Sequence, residues 1–211
     1  MKKLILDAGH GGSDPGATSK GLKEKDFTRQ IVQRIKEKLS VYNVQVLETR
    51  CNDEKVTLEE RCRMANLLNA DLFVSVHINA GGGMGYESYI HRTVSNDIKH
   101  KRMQTYFHNQ KVFKDRGKKS ANFQVLRDTK MSAILTENGF IDNENDVQVL
   151  RTKIDEIADY HVYGIVKTLE LQEVDQTVYY IKTGTVRGRK EAEKVAKKIK
   201  NLGYLATIVK G

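Results

Sequence analysis

The chain has 211 residues, of which 39% are apolar and 30% charged, a composition that is ordinary for a globular protein. This length allows one full domain with a small appendage. No stretch approaches the roughly 18 consecutive apolar residues that a membrane helix needs, so no transmembrane span is predicted. The two cysteines, Cys51 and Cys62, lack the spacing of a metal-binding pair and are predicted to remain reduced thiols.

The positive charge of the chain is concentrated at its C-terminal end. The formal net charge is +9, and residues 177–211 hold nine lysines and arginines against two glutamates, which is +7 and leaves +2 on residues 1–176. A basic tail of this kind indicates an anionic partner. Nucleic acid is disfavoured, because the tail lacks the motifs that read DNA or RNA grooves.

Strands and helices are predicted to alternate along most of the chain. Short apolar runs predict strands at residues 4–6, 44–47, 72–76, 86–90, 123–126 and 133–136. Apolar residues at helical spacing predict helices at residues 26–39, 57–68, 97–113 and 154–169, the second opening with a capping box formed by Thr57 and Glu60. This order is typical of a wound α/β domain, which we expect to span residues 1–171.

The remainder of the chain is predicted to form a small strand-helix-strand unit. A polar linker at residues 172–177 precedes an apolar run at 178–181, a helical pattern at 192–202 that stops at Gly203, and a second apolar run at 204–209. A unit of about 35 residues is too small to bury a sufficient core alone. Residues 178–211 are therefore expected to pack on the first domain or on a second copy of the chain.

Polar groups stand at the ends of three predicted strands. His10 follows the first strand in a glycine-rich turn, His77 follows the strand at 72–76, and Glu137 follows the strand at 133–136. In open α/β sheets, ligands bind at the carboxyl ends of the strands. Glu24 lies just before the first helix, near the turn that carries His10 in the sequence.

These residue types suit a metal-dependent hydrolase. A catalytic zinc takes three protein nitrogen or oxygen ligands and leaves a position for water, and His10, Glu24 and His77 make such a set. Glu137 is then the candidate for the general base and acid. The spacing leaves a plainer alternative open, in which the histidines are structural hydrogen-bonding residues and Glu24 compensates a helix dipole.

Four segments carry a family resemblance, namely Asp7–Gly12, Asp14–Ala17, Ser75–Ala80 and Thr136–Phe140. Through these segments, nearly all of residues 1–171 resembles the zinc-dependent N-acetylmuramoyl-L-alanine amidases of the type-3 family. Thr49, Arg50, Asp53, Arg61, Ala65 and Asn66 also match the second helix region of that family.

The resemblance implies a fold, a cofactor and an activity. It implies an α/β fold with a twisted, mostly parallel six-stranded sheet flanked by helices. It also implies one zinc ion held by His10, Glu24 and His77, catalysis by Glu137, and cleavage of the amide between N-acetylmuramic acid and L-alanine in peptidoglycan.

Two further residues are predicted to contact the substrate. Asn79 follows the second histidine, and the guanidinium of Arg127 suits a carboxylate of the peptide. Both residues have an alternative role, in which they hold loops together through hydrogen bonds to the backbone.

The C-terminal unit resembles one half of a SPOR-type peptidoglycan-binding repeat. A full repeat contains two strand-helix-strand halves, so pairing of two tails would supply the missing half, and a homodimer is predicted. The alternative is a solvated, lysine-rich helix face that serves solubility.

The leading functional hypothesis is a cell-wall hydrolase with a basic C-terminal targeting unit. The alternatives are another zinc-dependent peptidoglycan peptidase, which would cut a different bond, and a non-catalytic peptidoglycan-binding protein.

The N-terminal apolar stretch stops at Asp7, so no secretion signal is predicted. We therefore expect synthesis in the cytoplasm and action on the wall after release, as a phage endolysin freed through a holin pore or as a mother-cell lytic enzyme. The segment Gly117–Phe123 is similar to the latter group, and the sequence does not choose between the two routes.

Overall fold

The computed structural model of the chain describes residues 1–174, 187–203 and 206–208. It divides into two compact units, Met1–Asp175 and Gln176–Gly211. The division falls inside the predicted linker at residues 172–177.

The first unit is an α/β domain. Its strands are β1 (Lys2–Ala8), β2 (Thr18–Ser19), β3 (Leu22–Lys23), β4 (Val44–Glu48), β5 (Leu72–Asn79), β6 (Tyr86–His91), β7 (Asp115–Ala121) and β8 (Ser132–Phe140). Its helices are α1 (Glu24–Lys38), α2 (Leu58–Leu67), α3 (Ile98–Phe107), α4 (Gln124–Arg127), α5 (Glu144–Thr152) and α6 (Ile154–Leu169).

Six strands form one mixed sheet in the order β4-β1-β5-β8-β6-β7, while β2 and β3 make a separate small hairpin. Strands β4, β1, β5 and β8 run parallel to one another. Strand β6 runs antiparallel to β8 and parallel to the edge strand β7. The expected mostly parallel six-stranded sheet is confirmed, and the carboxyl ends of β1, β5 and β8 lie together at one edge.

Helices cover the sheet on both faces. One core cluster joins alternate residues of β1, β5 and β8 to the apolar sides of α1, α3 and α6. A smaller cluster on the other face joins Ile5, Phe73 and Leu135 to α2 and α4. The strands buried on both sides are almost continuously apolar, which is why the sequence pattern identified them.

One predicted strand is wrong. Residues 123–126 were expected to be extended, but Gln124–Arg127 forms the short helix α4, which packs Val125 and Leu126 against the sheet. The sixth strand of the sheet is β7, in a segment where the sequence predicted no strand. Because β7 is an exposed edge strand rich in charged residues, it lacks the apolar alternation that marks a strand.

The helical predictions hold with two differences. The capping box of Thr57 and Glu60 opens α2 as expected. The third helix ends at Phe107 rather than at residue 113, and α5 was not anticipated.

In the second unit the structure describes one helix, α7 (Arg189–Asn201), at the predicted place. Gly203 follows it with a φ of +88°, in the left-handed region that favours glycine after a helix. The predicted strand at 178–181, and residues 204, 205 and 209 of the predicted strand at 204–209, lie outside the described residues. Among the helices described in both units, none combines the length and apolarity that a membrane crossing requires.

Candidate metal centre and catalytic cleft

Two buried arginines fix the turn that carries His10. Arg50 donates from Nε to the carbonyl of Ala8 at 2.9 Å and from Nη2 to the carbonyl of Gly9 at 3.1 Å. Arg61 donates from Nη2 to the carbonyl of His10 at 2.7 Å. His10 itself has a φ of +61°, a left-handed conformation that costs a non-glycine residue free energy. The arginines therefore hold a turn that the backbone would not adopt by preference.

Glu24 is the first residue of α1 and its carboxylate is locked in place. The residue is 3% exposed. Oε1 accepts a hydrogen bond from the backbone N–H of Ile78 at 2.9 Å, and Oε2 accepts one from the backbone N–H of Ala17 at 2.8 Å. The same two oxygens face the two histidines, with Oε1 2.9 Å from Nδ1 of His77 and Oε2 3.1 Å from Nε2 of His10.

His10, Glu24 and His77 consequently form one cluster. Each offers a ligand atom, and these atoms all lie within 4.8 Å of one another. On the far side of its ring, Nδ1 of His10 lies 2.9 Å from Oδ2 of Asp14. A carboxylate behind a histidine fixes the tautomer and orientation of a metal ligand.

Two glycines provide room for the cluster because they have no side chain. A Cβ atom on Gly9 would stand 2.4 Å from the ring of His77. A Cβ atom on Gly16 would stand 2.6 Å from Oε2 of Glu24 and from the ring of His10. Side chains at these two positions would displace the ligand atoms. Glycine at both positions therefore allows the three ligand residues to converge.

The three groups hold one another in their charged forms. Burial lowers the pKa of His10, but hydrogen bonds and charge interactions with Glu24 and Asp14 outweigh burial and raise that pKa to about 9. Burial raises the pKa of Glu24, but the two histidines outweigh it and hold that pKa far below its usual range. Burial lowers the pKa of His77, and Glu24 reverses this and raises it. A cation in the cluster would replace the protons of the histidines.

Glu137 lies beside this cluster on the neighbouring strand. It pairs in register with His77 of β5 on one side and with Glu87 of β6 on the other. Its Oε2 atom is buried and makes no hydrogen bond to the residues that the structure describes. Burial, and the nearby charges of Glu24 and Glu87, raise the pKa of Glu137 to about 7. A carboxylate with this pKa and an uncommitted oxygen can both accept and donate a proton near neutral pH.

The donor set fits zinc. Two imidazole nitrogens and one carboxylate oxygen are the ligands of a catalytic zinc site with an open position, and the half-buried carboxylate of Glu137 lies next to them. The uncommitted oxygen of Glu137 is the kind of polar atom that a reacting group would satisfy.

The two predicted substrate contacts lie in different places. Asn79 is two residues beyond His77 on β5 and donates from Nδ2 to Oε1 of Glu87 at 3.0 Å. Arg127 lines a groove with Asp71 and Ser132 at the amino end of β8.

Along β8, Ser132 is about 16 Å from Glu137, so Arg127 lies toward the opposite edge of the sheet. Arg127 is exposed and pairs with Asp128 at 2.8 Å. It was expected to follow a strand, and the helix α4 places it away from the cleft instead. We therefore assign it no role there.

Sequence reasoning gave no role to several residues that build the site. Asp14 follows His10 by four residues, and that proximity was the available signal. Arg50, Arg61 and Glu87 are charged residues that become buried only in the folded chain, with exposures of 2% each. Arg50 and Arg61 match positions of the family, but nothing in the local sequence shows that any of these three residues becomes buried.

Comparison with known proteins identifies the family of the chain. The model of the Amidase_3 family, described as N-acetylmuramoyl-L-alanine amidase, matches residues 4–167. A sporulation-specific N-acetylmuramoyl-L-alanine amidase of Bacillus subtilis (strain 168) is 38% identical over 213 residues, covering 97% of this chain and 83% of the relative. An endolysin of Bacillus phage SPP1 is 43% identical over 190 residues, covering 82% of this chain and 68% of the relative.

Solved structures give the same result. The catalytic domain of CwlV, an N-acetylmuramoyl-L-alanine amidase from Bacillus (Paenibacillus) polymyxa var. colistinus, superimposes with a TM-score of 0.73 at 31% identity. The superposition covers 82% of this chain and 100% of that domain. The chain therefore belongs to the Amidase_3 family of N-acetylmuramoyl-L-alanine amidases, enzymes that hydrolyse the amide between N-acetylmuramic acid and L-alanine in peptidoglycan.

Proposed function

We propose that the amidase reaction of this chain is zinc-dependent, with one zinc ion held by His10, Glu24 and His77. The observation that carries the proposal is the convergence of their three ligand atoms within 4.8 Å, beside Glu137, whose buried Oε2 makes no hydrogen bond to any residue that the structure describes. Zinc bound at this site supplies Lewis-acid chemistry, which lowers the pKa of water and polarises a carbonyl group.

Glu137 moves the proton in this proposal. Its Oε2 accepts the proton of the attacking water and then delivers it to the nitrogen of the departing L-alanine. The pKa of Glu137, raised to about 7 by burial, suits both directions of transfer near neutral pH. Asn79 contributes a substrate contact, because only one of its two amide hydrogens is committed to Glu87.

Digestion of purified peptidoglycan tests this proposal. The zinc-loaded protein is expected to release peptides that begin with L-alanine and to leave glycan strands with free lactyl carboxylates, as identified by mass spectrometry. A chelator is expected to abolish the activity and added zinc to restore it. Cuts within the peptide would indicate a peptidase instead, and binding without any cut would indicate a non-catalytic wall-binding protein.

A Glu137→Gln variant separates the metal from the proton transfer. Removing a general base lowers turnover by about 10²- to 10⁴-fold, and the amide side chain keeps the shape of the glutamate. The variant should bind zinc and peptidoglycan as the unmodified protein does. Turnover close to that of the unmodified protein would contradict the role of Glu137.

We propose that residues 178–211 act as half of a SPOR-like wall-binding unit and pair with a second copy to form a homodimer. The support is the sequence resemblance, the amphipathic helix α7 and the +7 charge of residues 177–211. Sedimentation at micromolar concentration is expected to give a dimer. A monomer would overturn the pairing.

The site of action in this proposal is the bacterial cell wall, reached on lysis of the producing cell. The similarity to relatives named as an endolysin and as a sporulation-specific amidase supports that route. Release through a holin pore and release from a sporulating mother cell both fit this proposal.

A further inference from the structure

A buried glutamate lies beside Glu137 and neither holds the metal nor transfers a proton in the reaction proposed above. Glu87, on β6, is 2% exposed and pairs directly with Glu137 across the antiparallel strands β6 and β8. Charged side chains are rarely buried unless they are paired. The residues that pair with Glu87 therefore indicate the function of this part of the cleft.

Four side chains donate hydrogen bonds to the Glu87 carboxylate. Oε1 accepts from Asn79 Nδ2 at 3.0 Å and from the Tyr89 hydroxyl at 2.7 Å. Oε2 accepts from Arg116 Nε at 2.7 Å and from Lys119 Nζ. The carboxylate is thus saturated, and the burial that would raise the pKa of Glu87 is outweighed by these donors, which lower it.

The two cations reach this carboxylate because strand β7 is irregular. Residues three apart on a regular strand face opposite sides of the sheet. The register of β6 and β7 shifts between Tyr86 and Ser88, and this bulge lets Arg116 and Lys119 approach the same oxygen. Bulges of this kind re-aim side chains beside active sites. Lys118 lies between the two and donates instead to Thr105 of α3.

The charges around Glu87 do not cancel, and a positive charge remains. One carboxylate faces two cations, so the group formed by Glu87, Arg116 and Lys119 carries a net charge of about +1. The side chains of Arg116 and Lys119 are 33% and 36% exposed, whereas the Glu87 side chain is 3% exposed. The negative charge is therefore buried, while the positive charge faces solvent on β7, two strands away from Glu137 in the sheet.

Aromatic rings hold the cations in place. The guanidinium of Arg116 lies 4.8 Å from the centre of the Phe140 ring, and Nζ of Lys119 lies 5.8 Å from the centre of the Tyr89 ring. Stacking and hydrogen bonding together restrict two side chains that would otherwise be mobile. The structure thus presents two oriented donors at fixed positions in the cleft.

We propose that Arg116 and Lys119 bind a carboxylate of the stem peptide next to the scissile amide, with Glu87 as the positioning residue that holds them. The proposal rests on the proposed function of the cleft. In the substrate, the N-acetylated sugars carry no charge once the lactyl carboxyl is joined to L-alanine, whereas the peptide carries carboxylates. The peptide therefore extends from Glu137 toward β6 and β7.

Arg127, the cation that the sequence suggested for a peptide carboxylate, does not offer this arrangement. It pairs one-to-one with Asp128 through two contacts at 2.8 and 3.2 Å, which leaves no unbalanced charge. Arg116 and Lys119 share a single counterion and lie on the strand next to the one that faces Glu137.

Two synthetic substrates test the proposal. Both are N-acetylmuramoyl peptides that begin with L-alanine and end in a C-terminal amide, and they differ at one group on the second residue, a free carboxylate or a carboxamide. The zinc-loaded full chain is compared with Arg116→Met, Lys119→Met and the control Lys118→Met. Each single variant leaves one cation on Glu87, so the buried carboxylate is never unpaired.

The unmodified chain is expected to favour the carboxylate peptide in kcat/KM by about ten- to hundredfold, the range for a hydrogen bond to a charged group, and mainly through KM. Arg116→Met and Lys119→Met are each expected to lose most of this preference, and Lys118→Met is expected to keep it. Continued cleavage of the carboxamide peptide shows that a variant is folded and loaded.

Equal kcat/KM values for the two peptides with the unmodified chain would overturn the proposal, and so would variants that keep the preference. The first of these outcomes does not depend on the stability of the variants, because it is measured with the unmodified chain alone. Failure of the zinc-loaded unmodified chain to cleave either peptide would instead contradict the proposed function.

Discussion

The candidate metal centre depends on two residues that have no side chain. Gly9 and Gly16 occupy the positions where any Cβ atom would come within 2.6 Å of a ligand residue. At Gly16 the φ of +67° adds a conformational requirement to the spatial one. A substitution there should therefore damage metal binding more than it damages the fold.

Comparison of Gly16→Ala with Gly21→Ala separates the two effects. Both glycines have positive φ, at +67° and +80°, but a Cβ atom on Gly21 would meet nothing within 4 Å. Each variant should lose about 1–2 kcal/mol of unfolding free energy through left-handed strain. Only Gly16→Ala should also lose zinc affinity, by about tenfold or more. Competition with a chromophoric chelator measures the affinity, and equal affinities in the two variants would contradict the steric explanation.

Asp14 is expected to tune the metal site without touching the metal. Its carboxylate lies 2.9 Å from Nδ1 of His10 and orients the ring. Replacement by asparagine should lower zinc affinity by about 10- to 100-fold, as is usual for a carboxylate behind a metal-binding histidine. Ser13→Ala, at the neighbouring exposed position, is the control and should bind zinc normally. Equal zinc affinity in Asp14→Asn and Ser13→Ala would mean that the turn alone orients His10.

At the level of whole elements, buried polar contacts fix how helices sit against the sheet. Arg61 of α2 forms an ion pair with Asp7 of β1, and both residues are at most 2% exposed. His161 of α6 lies between its own helix and β8, where its exposure is 0%. Each contact joins an element to a strand whose carboxyl end carries a functional residue. The stability of the packing and the geometry of the site are therefore coupled.

Removing Arg61 should be costly. An Arg61→Met variant leaves Asp7 charged and buried without its cation, which typically costs about 3–5 kcal/mol of unfolding free energy. Arg63→Met, an exposed position on the same helix, is the control and should change stability little. Urea unfolding measures both.

A double variant, Asp7→Asn with Arg61→Met, should recover part of the loss because no unpaired charge remains. If the double variant is as unstable as Arg61→Met alone, the unpaired charge is not the cause.

His161 should make the fold sensitive to acid. Nδ1 lies 2.8 Å from the carbonyl of Ile157 and so carries the hydrogen, which leaves Nε2 to accept from Thr136 at 3.0 Å. Burial lowers the pKa of His161 from 6.5 to about 4. The stability from this group is therefore present above pH 6.5 and is lost as the pH falls through about 4.

By linkage, the loss amounts to about 3 kcal/mol, relative to a His161→Gln variant measured over the same pH range. Denaturant unfolding at several pH values gives the comparison. Parallel pH profiles for the two proteins would show that His161 does not titrate as its burial implies.

For the molecule as a whole, we expect the first unit to carry the chemistry and the second unit to promote attachment to the wall. The candidate site residues all belong to Met1–Asp175, whereas residues 177–211 carry +7 of the net charge of +9. Surface charges of this kind act at long range and are screened by salt. Activity on a small substrate and activity on an intact wall should therefore respond differently to the loss of the tail.

Truncation after Asp175 tests this division. The truncated chain should cleave a soluble muramoyl peptide with the same kcat/KM as the full chain but should clear wall suspensions more slowly at low ionic strength. The difference should shrink as salt is raised, because screening removes the advantage of the basic tail. Equal clearing rates at low salt would leave the tail without a role in wall attachment.

Features of this protein that depend on local pattern could be predicted from the amino-acid sequence. Five of the six sheet strands and the helices α1, α2 and α6 were predictable, because buried parallel strands are continuously apolar and packed helices show their 3.6-residue period. The four motifs indicate the family, and the resemblance to that family implies the site residues. The structure brings His10, Glu24, His77 and Glu137 together.

Features that depend on residues far apart in the chain could not be predicted in this way, because they arise from contacts made in the folded protein. Strand β7 exists because β6 offers it an edge, and its polar sequence carries no signal of its own. The burial of Arg61 and Glu87, and the exclusion of Arg127 from the cleft, follow from which strands are neighbours. The local sequence around a charged residue does not show whether that residue is solvated or buried against a partner. The fold determines its environment.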